Sequence, residues 1–422
     1  MTTAIAFSVM ILLIAAGVHI AVALGLVASG LLVFSFDIPL IMIAQTAWES
    51  VDKYALVAIP FFIFAGNLMS KGDLALIILK LVGSVARWFR GGIALSMALS
   101  SVFFAAVNGS SVACSVALGP AAVKLLPEEG YPKSFSAAIV AVCGTLGLMI
   151  PPSLTFILIG SIVGLPITDL FIAGLLPGIF EAVLLGAVVV FISSKRGYGN
   201  KLQPADWGDF RRRLPSASGA LFLPILIIGS IYLGWFTPTE VSALAAIYAV
   251  VLVVLVYRTV SLASVWDTAR SSVMQTVMIY GILLGAGLLT AVLTRMGLAS
   301  ELTSMLQSSE IEPWQFLLAI NILLLVLGMF LDGVSMIVLL SPILFPMTAV
   351  MDINPIHFAV IITALVEIAT ITPPIGLNLF VMSRITKIPL HEMMTSVLPF
   401  YGTRIFALII INAVPGLSLL LV

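Results

Sequence analysis

The sequence predicts an all-α polytopic membrane protein built as an inverted-topology repeat, each half holding one re-entrant helical hairpin and one broken helix. Three observations carry that prediction. The 422 residues are 61% hydrophobic and 9% charged, and mean hydropathy is +1.23. Apolar segments of about 20 residues, the length a membrane helix needs, recur almost end to end. The prolines of the two halves repeat at a near-constant spacing, and the basic residues gather on one side of the membrane.

The repeat is visible by subtraction. Pro132 and Pro355 are 223 positions apart, Pro151-Pro152 and Pro373-Pro374 222, Pro166 and Pro389 223, and Pro177 and Pro399 222. Asn108 and Asp332 are separated by 224, Gly72 and Gly297 by 225, and Trp88 and Trp314 by 226. Lys and Arg accumulate in cytoplasmic loops. With segment 195–215 inside, only Lys53 and Arg295 among the 19 Lys and Arg lie outside. The first hairpin then enters from the cytoplasm and the second from the opposite face, which makes the repeat an inverted one, the plan of many secondary transporters. The N-terminus is inside if residues 4–35 cross once, and the C-terminus outside.

Residues 4–35 are apolar with a weak point at Gly17-Val18-His19, and read as one tilted helix or two shorter pieces. The run lacks a basic leader and a cleavage site, so it is expected to be retained. Residues 36–53, with Asp37, Pro39, Glu49, Asp52 and Lys53, are expected to form a polar or interfacial connection. Residues 54–70 span, and 74–90 form an amphipathic interfacial segment. The first hairpin runs from about Gly92 to Leu126, its short arms divided by Asn108-Gly109-Ser110-Ser111. Residues 134–163 break at Gly144-Thr145-Leu146-Gly147 and Pro151-Pro152-Ser153, because paired prolines remove two backbone donors and bar regular helix. Residues 168–194 close the half.

After the aqueous linker 195–215, spans at 217–236 and 240–257 turn at Thr237-Pro238-Thr239-Glu240. Residues 273–294 span again, and an acidic amphipathic stretch carries Glu301, Glu310 and Glu312. The second hairpin, Pro313 to Met351, turns at Gly328-Met329-Phe330-Leu331-Asp332-Gly333-Val334-Ser335. Residues 355–383 break at Thr372-Pro373-Pro374-Ile375-Gly376, and 395–422 finish the chain.

Tips and breaks carry the chemistry. A carboxylate in the middle of a membrane segment costs about 2.5–3.5 kcal/mol, so Asp332 calls for a partner or a function. Backbone broken at membrane depth persists only inside protein or beside a wet cavity. Each half pairs a tip with a break: Asn108 to Ser111 with Gly144 to Ser153, and Asp332 to Ser335 with Thr370 to Asn378. Broken helices expose carbonyls at one end and amides at the other. Carbonyls and hydroxyls suit a hard cation such as Na⁺, while helix N-termini attract an anion.

On that basis Asp332 takes an ion or coupling role, or pairs with a nearby positive group or backbone amide. Asn108 and Asn378 are ion or substrate contacts, or packing amides. Ser110, Ser111 and Ser335 are site oxygens or caps of the second hairpin arms. Thr145 and Thr372 supply oxygens, and the glycines beside them allow close backbone approach. Glu181 and Glu367 are expected to make interhelical hydrogen bonds, with a coupling role as the alternative.

Zero formal net charge offers no basic face to nucleic acid. No metal-ligand spacing, P-loop or nucleophile–base set occurs, so neither an organic cofactor nor an enzymatic activity is expected. His19 and His357 are isolated. Cys114 and Cys143 sit in apolar segments and read as small buried hydrophobes rather than a disulfide.

Gly328-Met329-Phe330-Leu331-Asp332, Pro342-Ile343-Leu344-Phe345-Pro346 and Ile371-Thr372-Pro373-Pro374-Ile375-Gly376-Leu377-Asn378-Leu379-Phe380-Val381 resemble the large membrane subunit of tripartite ATP-independent periplasmic (TRAP) transporters. Ala58-Ile59-Pro60-Phe61-Phe62, Ile150-Pro151-Pro152-Ser153 and Thr237-Pro238-Thr239-Glu240 support the resemblance, which covers essentially the whole chain; His19 stands where many relatives have proline. It implies sodium-driven import of a small organic acid anion across a bacterial inner membrane. It also implies a small membrane subunit on a separate chain and a periplasmic substrate-binding protein.

The resemblance further implies an elevator in which 92–194 and 313–422 are mostly transport domain, 1–91 and 216–312 are scaffold helices and interfacial arms, and 195–215 is a cytoplasmic linker. Sodium is then expected at Asn108, Ser110, Ser111, Gly144, Thr145 and Gly147, and at Asp332, Ser335, Thr370, Thr372 and Gly376. Substrate is expected at Ser111, Pro152, Ser153, Pro374 and Asn378. Only one tip is charged, so the two ion sites should differ, the Asp332 side being the more sensitive to mutation. A proton-coupled or binding-protein-independent anion transporter of related fold is the alternative within transport. A structural scaffold subunit is the alternative outside it, and leaves Asp332 and the duplicated breaks unexplained.

Overall fold

The computed structural model describes residues 8–10, 12–13, 16–199, 203–374 and 376–422. Among them every regular element is helical. The first half consists of α1 (Ile20–Phe36), α2 (Leu40–Val51), α3 (Ala58–Lys71), α4 (Leu74–Ala86), the hairpin α5 (Gly92–Asn108) and α6 (Ser111–Glu128), the broken helix α7 (Lys133–Cys143) and α8 (Leu154–Val163), and α9 (Ile167–Arg196). The second half consists of α10 (Trp207–Tyr232), α11 (Pro238–Val250), α12 (Leu262–Arg295), α13 (Leu298–Ser308), the hairpin α14 (Pro313–Gly328) and α15 (Gly333–Thr348), the broken helix α16 (Pro355–Ala369) and α17 (Leu377–Thr386), then α18 (Leu390–Ala413) and α19 (Gly416–Leu419).

Six described helices are long and apolar enough to cross a membrane: Tyr54–Lys71, Ile167–Arg196, Trp207–Tyr232, Pro238–Val256, Leu262–Arg295 and Leu390–Ala413. Their outward faces expose large apolar side chains such as Ile225, Ile247, Leu255 and Leu398, the surface that lipid covers in a multi-pass membrane protein. The first hairpin arms, α5 and α14, have 17 and 16 residues. At 1.5 Å per residue that is about 24–26 Å of helix, short of the ~30 Å hydrocarbon core.

Two of the repeated proline pairs mark helix starts, while Pro177 and Pro399 lie inside α9 and α18. Pro132, Pro166 and Pro389 are the N-caps of α7, α9 and α18, and Pro355 is the first residue of α16. Proline belongs there because the N–H it lacks has no intrahelical partner at that position. Thr237 and Glu240 close a capping box at the start of α11, with Pro238 as its first residue.

Three segments differ from the sequence expectation. Residues 36–53, expected to be a connection, contain α2, whose Thr46 and Ser50 hydroxyls bond back to Met42 O and Thr46 O and whose Leu40, Ile41 and Trp48 are exposed. Of the linker 195–215, residues 207–215 already belong to α10, because Asp206 accepts the Asp209 N–H at 2.8 Å and caps it. α12 likewise begins well before residue 273, capped by Ser261. Within 4–35 the chain turns at Ala16 and Gly17 and restarts at α1, where His19 Nδ1 accepts the Ala21 N–H. The break is therefore made without proline.

The helices pack as two groups. α12 lies along α1, α2 and α3, α3 packs on α11, and α10 packs on α4 and α11. The hairpins, broken helices, α9 and α18 form the second group. Within it α5 packs on the turn 144–148 of its own broken helix and α14 on α16, while α6 packs on α17 and α15 on α8, each second arm crossing to the other half. α4 and α13 bridge the groups, contacting α5 and α15 respectively.

Candidate functional site

At the first tip, α5 ends at Asn108, Gly109 turns with φ +63°, and the Ser110 hydroxyl accepts the Ala113 N–H at 3.4 Å to cap α6. A Cβ on Gly109 would stand 2.9 Å from Pro152 O, and one on Gly147 only 2.4 Å from Ala105 O. Those approaches seat the tip in the break, and they explain why glycine is needed at both positions. Ser111 O lies 3.5 Å from where a Gly144 Cβ would be. The Ser153 hydroxyl donates to Leu148 O and accepts the Phe156 N–H at 3.3 Å, capping α8. Asn108, Ser111, Gly144, Gly147, Pro152 and Ser153 are thus brought together, and Asn108 Nδ2 is buried without a partner.

At the second tip Asp332 caps α15. Its Oδ2 accepts Val334 N–H at 3.1 Å and Ser335 N–H at 3.2 Å, and its Oδ1 accepts the Ser335 hydroxyl. Among the described residues no Lys or Arg pairs with it. The carboxylate is held by backbone amides and the positive end of a helix, not by a counter-ion. A Cβ on Gly328 would lie 2.4 Å from Ala369 Cβ, and one on Gly333 2.5 Å from Val366 Cγ1, so this hairpin also sits against its own broken helix.

In the second break, Thr370 and Thr372 hydroxyls donate to Glu367 O at 2.7 Å and Ile368 O at 2.6 Å, leaving their oxygen lone pairs available. Gly376, with φ +39°, opens α17, and Pro374 is exposed. Asn378 is buried. Its backbone N–H reaches Thr370 O at 3.0 Å and its Nδ2 reaches Ala141 O of α7 at 3.1 Å, while its Oδ1 has no partner. Pro151-Pro152 and Pro373-Pro374 are both cis. Among the described residues no cluster of three His, Cys, Asp or Glu is gathered; the polar atoms that tips and breaks offer are carbonyl, hydroxyl, carboxylate and amide groups. Cys114 and Cys143 are free and buried.

Sequence reasoning missed one residue, Arg404. Its side chain, 1% exposed, bonds through Nη1 to Glu181 Oε2 of α9 and to Glu367 Oε2 of α16, the latter at 2.8 Å. Through Nη2 it reaches the Thr145 hydroxyl and, at 3.4 Å, Val142 O. Glu181 and Glu367 thus make the interhelical hydrogen bonds expected of them, both to one guanidinium. Thr145, placed among the sodium ligands, directs its hydroxyl at a fixed cation. A guanidinium in hydrogen-bond contact repels a second cation from that oxygen, so the side chain of Thr145 serves the ion pair. One signal pointed to the cluster: Thr145 and Glu367 are 222 residues apart, the offset of the paired prolines beside them, and Glu181 and Arg404 lie four and five residues beyond the matched Pro177 and Pro399.

A sequence model of the family described as tripartite ATP-independent periplasmic transporter, DctM component, matches residues 7–417. The chain belongs to this family. A C4-dicarboxylate TRAP transporter large permease protein of Rhodobacter capsulatus is 33% identical over 100% of this DctM-family chain and 99% of its own length. An isethionate TRAP transporter permease protein of Oleidesulfovibrio alaskensis is 33% identical over 98% of this chain, which spans 65% of that relative's length. The fold is that of the Alcanivorax borkumensis YdaH transporter, with a TM-score of 0.66, 16% identity, and coverage of 89% of this chain and 88% of that one.

Proposed function

We propose that this DctM-family permease imports a small organic acid anion, carboxylate or sulfonate, by sodium symport across a bacterial inner membrane. The observation that carries the reading is that a tip and a break each hold a buried, unpartnered amide atom: Asn108 Nδ2 and Asn378 Oδ1, two of the three among the described residues, the third being Asn321 Oδ1. Buried polar atoms are nearly always bonded, so a donor and an acceptor left open at these positions are explained by ligands. Sodium is assigned to the oxygens of Asn108 to Ser111 with the backbone of Gly144 to Gly147, and to those of Asp332 to Ser335 with Thr370 to Asn378. The anion is assigned to Ser111, Pro152, Ser153, Pro374 and Asn378, at or beside helix N-terminal ends. The names of the two relatives, a C4-dicarboxylate and an isethionate permease, support this substrate class.

In this reading the hairpins, broken helices, α9 and α18 move as one body against the group around α12. The bridging helices α4 and α13 support that division, since each joins one hairpin to the static group. A periplasmic binding protein delivers the anion, and a small membrane subunit completes the complex. Import of two Na⁺ with a monoanion moves one net charge, worth about 2.3 kcal/mol per 100 mV. Uptake into proteoliposomes holding all three components is expected in sodium and not in choline buffer. Equal uptake in both sinks sodium coupling, and uptake driven by an imposed proton gradient alone favours the proton-coupled alternative.

A further inference from the structure

The buried cluster at Arg404 is used by no step of the proposed transport, yet it joins the two breaks. Arg404 of α18 and Glu181 of α9, two helices that begin at the matched prolines Pro389 and Pro166, are bound to each other. Thr145 and Glu367, 222 apart, are equivalent to each other, and Arg404 holds both. Glu181 and Thr145 belong to the first half and Arg404 and Glu367 to the second, so this cluster lies where the two halves meet. Thr145 sits inside the first break, between Gly144 and Gly147. The carbonyl of Glu367 accepts the Thr370 hydroxyl of the second break. Asn378 Nδ2 on Ala141 O is a further bond between the breaks.

We propose that Arg404 is a positioning residue that holds both breaks in one register, so that sodium binding at one half-site assembles the other. The inference rests on the sodium reading above. A guanidinium suits the task because its planar fork presents separate N–H groups to separate partners at fixed angles: Nη1 serves the two carboxylates and Nη2 the Thr145 hydroxyl. An ammonium is a point donor and cannot keep that geometry. Coupling between two sites through a shared element is positive when the first ligand fixes what the second would otherwise have to order.

Equilibrium binding of radiolabelled sodium to the purified protein tests this. Wild type is expected to bind cooperatively. Arg404→Lys is expected to bind the same number of ions, with the Hill coefficient falling to about 1 and half-saturation rising about tenfold, as for loss of one charged hydrogen bond. A merely structural role would lower thermal stability or the number of sites and leave cooperativity alone. Wild type that binds no sodium overturns the sodium reading and this inference together. Wild type that binds sodium without cooperativity, or Arg404→Lys that keeps the wild-type curve, overturns the inference alone. Should Arg404→Lys fail to fold, Glu181→Gln takes its place, removing one carboxylate from Arg404 while Glu367 and Thr145 remain. It is expected to bind the same number of ions with lowered cooperativity, and an unchanged binding curve overturns the inference.

Discussion

Gly66 of α3 lies against Asn108 at the first hairpin tip, so close that a Cβ on it would stand 2.2 Å from Asn108 Oδ1 and 2.8 Å from Asn108 Cα. One residue belongs to the group around α12 and the other to the hairpin, so the pair marks where the two groups touch. Gly66→Ala cannot be accommodated by a rotamer change, because the near atoms include backbone. Overpacking of this kind costs about 1–3 kcal/mol. The expected result is an inserted protein whose proteoliposome uptake falls roughly tenfold, given about 1.4 kcal/mol per decade; a wild-type rate would show that this contact is not part of the working cycle.

Asp332 has two separable jobs. As the cap of α15 it needs only an acceptor for Val334 and Ser335 N–H; as an ion ligand it needs its charge. Asp332→Asn keeps the first and removes the second. Both Asp332→Ala and Asp332→Asn should abolish sodium-dependent uptake, while only Asp332→Ala loses the cap, about 0.5–2 kcal/mol. Uptake and thermal unfolding measured side by side separate these effects. Full activity in Asp332→Asn would reduce the residue to a cap.

Gly147→Ala places a Cβ against the Ala105 carbonyl, whereas Gly402 in α18 has nothing within 4 Å of a built Cβ. The first substitution should lower the melting temperature in detergent, by the equivalent of about 1–3 kcal/mol. Gly402→Ala should be neutral or raise it slightly, since glycine in a helix interior costs roughly 0.5–1 kcal/mol relative to alanine. Equal effects would mean that the α5 contact with the 144–148 turn is loose.

Arg404→Met leaves Glu181 and Glu367 buried, 2% and 0% exposed, without their cation. Removing one member of a buried pair costs about 3–5 kcal/mol, whereas replacing all charged members by apolar groups is often neutral. Chemical unfolding should therefore rank the single variant well below the triple variant Arg404→Met, Glu181→Met, Glu367→Met. A single variant as stable as wild type would place the cluster outside the cohesive core.

Much of the site was legible because its signals are local. Paired prolines bar helix within their own turn, glycine permits the tip, and a carboxylate in an apolar run declares itself. Asn108, Ser153, Asp332 and Asn378 followed from such signals. α2 was not legible, because Asp37, Pro39, Glu49 and Asp52 read as loop composition, while its hydrogen bonds among Met42, Thr46 and Ser50 show only in three dimensions. The start of α10 was obscured in the same way by Arg211 to Arg213, which a capped helix end carries into water as readily as a loop does.

The sequence by itself determined the class and the plan: recurring apolar runs of about 20 residues cross a bilayer as helices, and the duplicated prolines keep their spacing between the halves. It determined that two tips and two breaks exist. Only the tertiary structure decided what meets what. Glu181, Glu367, Arg404 and Thr145 are four isolated polar residues in four apolar segments, and Arg404 lies 37 to 259 positions from its side-chain partners. No local pattern encodes such a meeting. Folding made it, because a buried guanidinium must find its acceptors inside the protein when neither lipid nor water can supply them.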